Sequence, residues 1–173
     1  MTAAPAIGLE RFTDVHDRHF ADIYRYVAGR LGAQAAEDVA AETFLVAFDR
    51  RKTFDAGRGD VRAWLFGIAT NLVSRHRRKE ARHYRALSRL DPRETTEGPE
   101  NRVVDSVAAA RVGKALARLS AGERDVLLLV ALGDLGYAEV AEALGISPGT
   151  VGSRLNRARK KLNPVLSQEA SDE

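Results

Sequence analysis

The feature that most constrains the fold of this chain is its C-terminal segment, residues 137–160, which has the pattern of two short helices around a tight turn. The apolar residues at helical spacing in the first helix are Val140, Ala141 and Leu144. Gly145 permits the sharp turn, Ser147 is a typical N-cap, and Pro148 suits the first position of a helix. We therefore predict a helix-turn-helix whose second helix begins at Pro148.

The second helix of this motif has an apolar face and a polar face. The apolar stripe consists of Val151, Leu155, Ala158 and Leu162. The opposite face carries Ser153, Asn156, Arg157 and Lys160. Hydroxyl, amide and guanidinium groups can bond base edges in the major groove, and the flanking Arg154, Arg159 and Lys161 suit phosphates. We interpret this helix as a reader of duplex DNA.

The composition supports small helical bundles and nucleic-acid contacts. Of 173 residues, 45% are hydrophobic but only 6% are aromatic, which suits small bundles better than a large sheet-filled core. The formal net charge is only +3, yet the cations are bunched in two places, so we expect two nucleic-acid contacts. The chain contains no cysteine, which excludes disulfides and thiolate metal sites and fits a reducing cytoplasm.

The sequence gives no indication of a metal, a cofactor or a membrane segment. His16 and His19 lie one helical turn apart, but no carboxylate or third histidine completes a ligand shell. The apolar runs are too short to span a bilayer, and the N-terminus does not have the pattern of a signal peptide. We expect a soluble, cytoplasmic protein that needs no metal and no cofactor.

The N-terminal half has the pattern of three amphipathic helices. The first runs from Phe12 to Leu31 and is ended by Gly32. The second spans about residues 35–51 and is predicted to bury Ala40, Phe44, Ala47 and Phe48. Its other side carries Asp38, Glu42, Leu45 and Asp49, among which the leucine is unexpected. After a loop over residues 52–60, the third helix is defined by Val61, Trp64, Leu65, Ile68, Ala69, Leu72 and Val73.

The third helix runs into a basic segment, residues 75–85, in which six cations are crowded together. We interpret this segment as the second nucleic-acid contact. Residues 86–105 contain Pro92, Gly98 and Pro99 with little apolar content, which is typical of an exposed linker.

A C-terminal bundle is predicted over residues 106–165, with a stripe of Val112, Leu116 and Leu119 on its first helix. Ser120 and Glu123 form a capping box for the next helix, and residues 163–173 are predicted to be a short polar tail. The predicted fold is all-α: two small helical bundles, residues 10–85 and 106–165, joined by a flexible linker, with the helix-turn-helix in the second. Two DNA-contacting bundles on such a tether would need a large partner protein to fix the distance between them. Leu45, predicted to be exposed among acidic residues, is a candidate docking site for that partner.

Three segments, in this order, carry a family resemblance. Residues 38–45 (DVAAETFL), 64–71 (WLFGIATN) and 137–159 resemble the core-polymerase-binding helix, the segment before the upstream-strand reading surface, and region four of bacterial sigma-70 family RNA polymerase sigma factors. The resemblance covers nearly everything from Phe12 to Leu162. Because a linker stands where a large middle domain would be, the chain is most similar to the extracytoplasmic-function (ECF) group.

This resemblance implies a transcription initiation factor that binds core RNA polymerase, directs it to promoter DNA and assists promoter opening, without being an enzyme. It implies that the polymerase clamp helices meet Asp38, Glu42 and Leu45. An extruded base of the minus-ten element would be held by the loop from Phe54 to Asp60 and by Asn71, with nearby phosphates on Arg75, Arg77 and Arg78. The minus-thirty-five element would be contacted by Ser153, Arg154, Asn156, Arg157 and Lys160. An anti-sigma factor that occludes these surfaces is a further expected partner.

The chain departs from the family pattern at three positions. Gly152 stands where the family commonly has Lys or Arg, which removes one DNA contact and weakens the helix by up to about 1 kcal/mol relative to Ala. Ala41 replaces a common Gln in the polymerase-binding helix, and Gly136 replaces a hydroxyl cap. We assign Trp64 to the core because it shares the stripe of Leu65 and Ile68.

The main alternative is a stand-alone helix-turn-helix regulator that binds duplex DNA as a symmetric dimer and needs no polymerase. An enzyme has almost no support because the sequence has no Gly-rich phosphate loop, no paired carboxylates in an apolar setting and no cysteine nucleophile.

Overall fold

The computed structural model of the chain describes residues 7–57, 59–90 and 107–169, and all regular structure in these ranges is helical. In chain order the helices are α1 (Leu9–Leu31), α2 (Ala33–Arg50), α3 (Val61–Leu90), α4 (Val107–Ala117), α5 (Ala121–Ala131), α6 (Tyr137–Leu144) and α7 (Pro148–Glu169). This confirms the predicted all-α class. Within the described ranges, no helix combines the length and the hydropathy that a membrane span needs.

Helices α1, α2 and α3 pack together as the N-terminal bundle. Gly32 separates the first two helices with a φ of 83°, a left-handed value that glycine adopts at little cost. The centre of the bundle is formed by Ile23, Tyr26, Val27, Ala40, Phe44, Leu65, Phe66 and Val73, which are all buried. The predicted inward side of α2 is confirmed, except that Phe48 is only half-buried.

Helix α3 is longer than the sequence pattern indicated. It continues to Leu90, five residues past the predicted end of the first domain. The physical reason is that residues 86–90 (ALSRL) contain good helix formers, and no proline or glycine follows until Pro92. The remainder of the predicted linker, residues 91–105, lies outside the described residues.

Helices α4 to α7 form the C-terminal bundle, in which the predicted caps and turn are present. The Ser120 hydroxyl accepts from the Glu123 N–H, and the Glu123 carboxylate accepts from the Ser120 N–H. Gly145 ends α6 in the left-handed conformation, with a φ of 62°. Ser147 caps α7 by accepting from the Thr150 N–H, so the predicted helix-turn-helix is confirmed.

Two details of this bundle differ from the sequence prediction. Val112 is exposed, because α4 reaches the core with Ala115 and with Leu119, which lies just after the helix ends. Helix α7 continues through Pro164 to Glu169, where a polar tail was predicted. An internal proline disfavours a helix, but it is followed by helix formers such as Leu166 and Gln168.

The two bundles also touch each other, which the sequence did not predict. Helix α3 of the first bundle packs against α6 of the second, and buried residues of both form one continuous apolar cluster. An ion pair joins α1 to α5, with 2.7 Å between Arg30 Nη2 and Asp125 Oδ1. The contact brings the helix-turn-helix beside the proposed minus-ten surface.

Candidate nucleic-acid interface

The second helix of the motif, α7, presents a polar face to solvent because its opposite stripe is buried. Val151, Leu155 and Ala158 are buried against the rest of the C-terminal bundle. The exposed side chains on α7 include the predicted readers Ser153, Asn156, Arg157 and Lys160, together with the flanking Arg159 and Lys161. The structure therefore brings the predicted reading residues together on one accessible surface.

Arg154 differs from the other predicted contacts on α7 because it is half-buried. Its guanidinium lies over the backbone of Gly122, where a Cβ in place of the glycine hydrogen would come within 2.8 Å of Arg154 Nη1. Glycine at position 122 therefore leaves room for the guanidinium. This position at the flank of the reading face suits a phosphate contact better than a base contact.

A buried carboxylate, Glu123, supports the reading helix from α5. Its Oε2 accepts hydrogen bonds from Lys161 Nζ at 2.7 Å and from the Ser120 N–H at 2.9 Å, while Oε1 lies 4.0 Å from Arg157 Nε. The hydrogen bond from Lys161, followed by that from the Ser120 backbone, lowers the pKa of Glu123 to about 2. The sequence pattern identified Glu123 only as a capping residue, and its hydrogen bond to Lys161 of α7 could not be predicted from local spacing.

A second candidate surface is a cavity of about 450 Å³ between α3 and the loop that precedes it. It is lined by Arg50, Thr53, Phe54, Asp55, Gly59, Trp64, Gly67, Ile68, Asn71, Glu142 and Ala143. The predicted minus-ten residues Phe54 and Asn71 are thus brought to one site. The last two lining residues belong to α6, so the helix-turn-helix forms one wall of this cavity.

The aromatic pair in this cavity changes the interpretation of Trp64. The rings of Phe54 and Trp64 lie 4.8 Å apart with an angle of 37° between their planes. Trp64 is half-buried: it packs against the core and also lines the cavity, so its assignment to the core is correct only in part. Nucleobases can stack on the accessible face of an aromatic ring.

The predicted phosphate-binding cations do not share one environment. Arg75 is exposed and lies 3.5 Å from the Glu42 carboxylate, and Arg78 is exposed as well. Arg77 is half-buried and donates from Nη2 to the Arg30 carbonyl at 2.8 Å. None of these three arginines is among the residues that line the cavity, so any contact they make with DNA would lie beyond its rim.

The candidate polymerase-binding face lies on α2. Leu45 is 65% exposed, the largest value among the exposed large hydrophobic residues of the described chain. Asp38 is exposed on the same helix, and Glu42 is half-buried beside Arg75. The structure thus places one exposed leucine on the same helix as Asp38 and Glu42, as the sequence pattern predicted.

The two histidines considered as metal ligands belong to the N-terminal bundle. His16 packs edge-on against the ring of Phe44 at 4.8 Å. Burial, and then the nearby Arg18, lowers the pKa of His19, so its neutral form is favoured. In the described parts of the chain, no group of three or more possible ligands that could hold a metal ion is present.

Known protein families match both helical bundles of the chain. Residues 15–83 match the family model for Sigma-70 region 2, and residues 109–162 match that for Sigma-70, region 4. The chain is 35% identical to the ECF RNA polymerase sigma factor SigL of Mycobacterium tuberculosis, over 89% of this chain and 88% of SigL. It is 32% identical to the ECF sigma factor BldN of Streptomyces coelicolor, over 93% of this chain but only 62% of BldN.

A solved structure supports the same assignment. The structure of CnrH in complex with the cytosolic domain of CnrY matches with a TM-score of 0.68 and 25% identity, over 93% of this chain and 90% of CnrH. The matches in sequence, the order of the two regions along the chain and the geometry of the helix-turn-helix all indicate the same family. The chain belongs to the ECF group of the sigma-70 family, and it is a transcription initiation factor that binds core RNA polymerase and directs it to promoters.

Proposed function

We propose that the polar face of α7 reads the minus-thirty-five element through Ser153, Asn156, Arg157 and Lys160, while Arg154 clamps a phosphate. The observation that carries this proposal is the separation of the two faces of α7: the apolar stripe is buried and the polar side chains are exposed together. These four exposed side chains supply the hydroxyl, amide and cationic groups that can form hydrogen bonds with base edges in the major groove.

The cavity beside α3 is proposed to receive an unstacked base of the minus-ten element. Phe54 and Trp64 offer a stacking surface, and the exposed Asn71 amide offers a donor and an acceptor for the edge of a base. Unstacking a base costs a few kcal/mol, which contacts of this kind can offset. Arg75 and Arg78 would then contact phosphates of the adjacent DNA backbone. Arg77 would do so if it exchanged its hydrogen bond to the Arg30 carbonyl for one to a phosphate.

Core polymerase is proposed to bind the α2 face formed by Asp38, Glu42 and Leu45. Burying the exposed Leu45 side chain would contribute about 1.5–3 kcal/mol, and the flanking carboxylates would select a basic partner surface. The protein is proposed to act in the cytoplasm, without catalytic activity of its own and without a cofactor. An anti-sigma factor is a proposed further partner, since the related CnrH is found in complex with the cytosolic domain of CnrY.

The proposed readout is tested by Arg157→Ala in transcription with purified core polymerase. We expect promoter-specific transcript to fall by about fivefold to a hundredfold, since one base-reading cation contributes about 1–3 kcal/mol. Arg118→Ala removes the same charge from an exposed position outside α7 and should leave transcription unchanged. Equal activity of Arg157→Ala and wild type, with both proteins folded, would refute the assignment of the reading face.

A further inference from the structure

Three cations of α7 lie in one row against the beginning of α5. Arg154, Arg157 and Lys161 follow each other at steps of three and four residues, the spacing that places side chains on one face of a helix. The Arg154 guanidinium lies over Gly122. Arg157 and Lys161 both approach the carboxylate of Glu123. One carboxylate of α5 therefore lies at a row of cations on the helix that carries the proposed DNA readers.

The contact between Glu123 and Lys161 is the strongest in this row. The Glu123 side chain is 5% exposed, and its Oε2 accepts from Lys161 Nζ at 2.7 Å. A hydrogen bond between two charged groups is stronger than one between neutral groups. The Lys161 side chain is 45% exposed, so its ammonium could also reach a ligand outside the chain. Glu123 therefore competes with DNA phosphates for this lysine, which the sequence pattern had assigned to a phosphate.

Glu123 also lies beside the inner nitrogen of Arg157. Nε of this arginine donates to the Ser153 carbonyl at 3.4 Å and lies 4.0 Å from Glu123 Oε1. Within the described part of the chain, the two Nη atoms of Arg157 make no hydrogen bond, and the side chain is 61% exposed. Both acceptors thus face Nε, and the outer edge of the guanidinium is left for a ligand. Two donors in a fixed fork are what arginine uses to recognise a base edge.

Capping of α5 does not by itself require a charge at position 123. Glutamine serves at this position of a capping box as glutamate does, because one oxygen is enough to accept from the Ser120 N–H. A carboxylate near a DNA-binding surface also repels phosphates, so its charge opposes binding of DNA. What the charge adds is the ion pair with Lys161 and the attraction of the Arg157 Nε. Both effects act on the helix that contacts DNA.

We propose that Glu123 is a positioning residue for promoter recognition: it keeps Lys161 from the DNA backbone and directs the two Nη donors of Arg157 toward the bases. The inference rests on the proposed function of the polar face of α7. By holding one cation within the chain, Glu123 lowers the affinity for DNA of any sequence. By orienting another, it raises the preference for one sequence. Both effects increase the ratio of specific to non-specific binding, the quantity that decides whether a promoter is found among competing sites.

The effect on non-specific binding can be measured with the full chain and a fluorescein-labelled pool of random duplexes, by anisotropy at several salt concentrations. Glu123→Gln keeps an acceptor for the Ser120 N–H but releases Lys161 to a phosphate. We expect tighter binding, and a plot of log K against log salt that is steeper by about 0.9, the value for one further phosphate contact. Loss of helix packing would weaken binding instead. Unchanged or weaker binding by the folded variant would therefore overturn the proposal.

Two double variants of equal net charge show whether Lys161 causes this change. Lys161→Met removes the ammonium and keeps an unbranched side chain, so its addition to Glu123→Gln should return the salt dependence to that of the wild type. Arg118→Ala removes one charge from an exposed position outside α7. Its addition to Glu123→Gln leaves Lys161 free, and the steeper salt dependence should remain. Equal salt dependence of the two double variants would assign the change to net charge alone and contradict the role given to Lys161.

The effect on sequence preference can be measured in transcription with core polymerase on promoters whose minus-thirty-five element is randomised. The position read by Arg157 is the one at which Arg157→Ala loses the preference for a base. At that position Glu123→Gln should lose on the order of half of the same preference on a logarithmic scale, because a guanidinium that is not held in place still makes part of its contacts. Glu37→Gln, which neutralises an exposed carboxylate on α2, should lose none.

The same data distinguish failure of this inference from failure of the proposed function. If Arg157→Ala lost preference at a position and Glu123→Gln did not, the positioning of Arg157 by Glu123 would be refuted and the reading face would stand. If Arg157→Ala lost preference at no position, the proposed reading by Arg157 would be refuted instead. In the Arg157→Ala background, Glu123→Gln should have no further effect at the position concerned, since its action there passes through Arg157. An equal further loss would contradict the positioning role.

Discussion

Lys161 on α7 donates a 2.7 Å hydrogen bond to the buried carboxylate of Glu123 on α5. This bond joins the helix that carries the proposed DNA readers to the helix behind it. It also connects the stability of the C-terminal bundle to pH, because the folded chain holds the pKa of Glu123 at about 2, against an ordinary value of 4.5. Between these two values the unfolded chain binds more protons than the folded chain, so stability rises with pH.

Glu123→Gln should therefore remove part of the acid sensitivity of the protein. The stabilisation by Glu123 is complete above about pH 5 and is lost as the pH falls toward 2. Urea denaturation at pH 7, 5 and 3 should show a difference between wild type and Glu123→Gln that is nearly the same at pH 7 and pH 5 and clearly smaller at pH 3. Glu37→Gln neutralises an exposed carboxylate on α2 and serves as the control. A difference that is independent of pH would contradict the role assigned to Glu123.

Gly152→Ala should stabilise α7. Gly152 lies inside the helix, and a Cβ at this position would meet nothing within 4 Å. Alanine is favoured over glycine in a helix by about 1 kcal/mol, which corresponds to an increase in Tm of about 2–4 °C for a chain of this size. Gly113→Ala in α4 has equally open surroundings and should act in the same direction. Calorimetry that gave a lower Tm for Gly152→Ala would show that the glycine is required for the helix to pack.

Leu45→Asp should weaken binding to core polymerase by about tenfold to a hundredfold, because it removes one exposed leucine from the proposed contact. Affinity can be measured by titrating labelled protein with core enzyme. Gln34→Asp adds the same charge at an exposed position in the first turn of α2 and should bind as wild type does. If the two variants bound equally well, Leu45 would not lie in the interface.

Asn71→Ala and Asn156→Ala should separate the two DNA surfaces. The first should slow promoter opening about tenfold, the effect of losing one hydrogen bond of about 1–1.5 kcal/mol, while duplex binding by the polymerase complex is retained. The second should weaken duplex binding without a specific effect on opening. Permanganate reactivity of the start-site region measures opening, and a gel-shift assay on the same complexes measures binding. If Asn71→Ala weakened duplex binding and Asn156→Ala slowed opening, the assignments of the two residues to the two DNA surfaces would have to be exchanged.

Local signals predicted most of the helices and the whole helix-turn-helix. Gly32, Ser120, Gly145 and Ser147 act over a few residues, so their consequences could be derived from spacing alone. The end of a helix was predicted less accurately where no glycine or proline marks it, as at residues 86–90 of α3.

The contact between the bundles could not be derived in this way, because its partners are distant in the sequence: Arg30 and Asp125 are 95 residues apart. One signal was nevertheless present. Arg30 follows Ile23, Tyr26 and Val27 on the buried stripe of α1, and a cation on such a stripe needs a buried partner. Gly29 and Gly67 inside helices were a second signal, since helical glycines often mark a close approach of another element.

The function as a promoter-directing factor is tested by multi-round transcription by purified bacterial core polymerase on a library of genomic promoter fragments, with and without this protein. We expect discrete new transcripts that depend on the protein and share two upstream sequence elements. The absence of such transcripts, together with failure of the protein to co-elute with core polymerase from the same sample, would contradict that function.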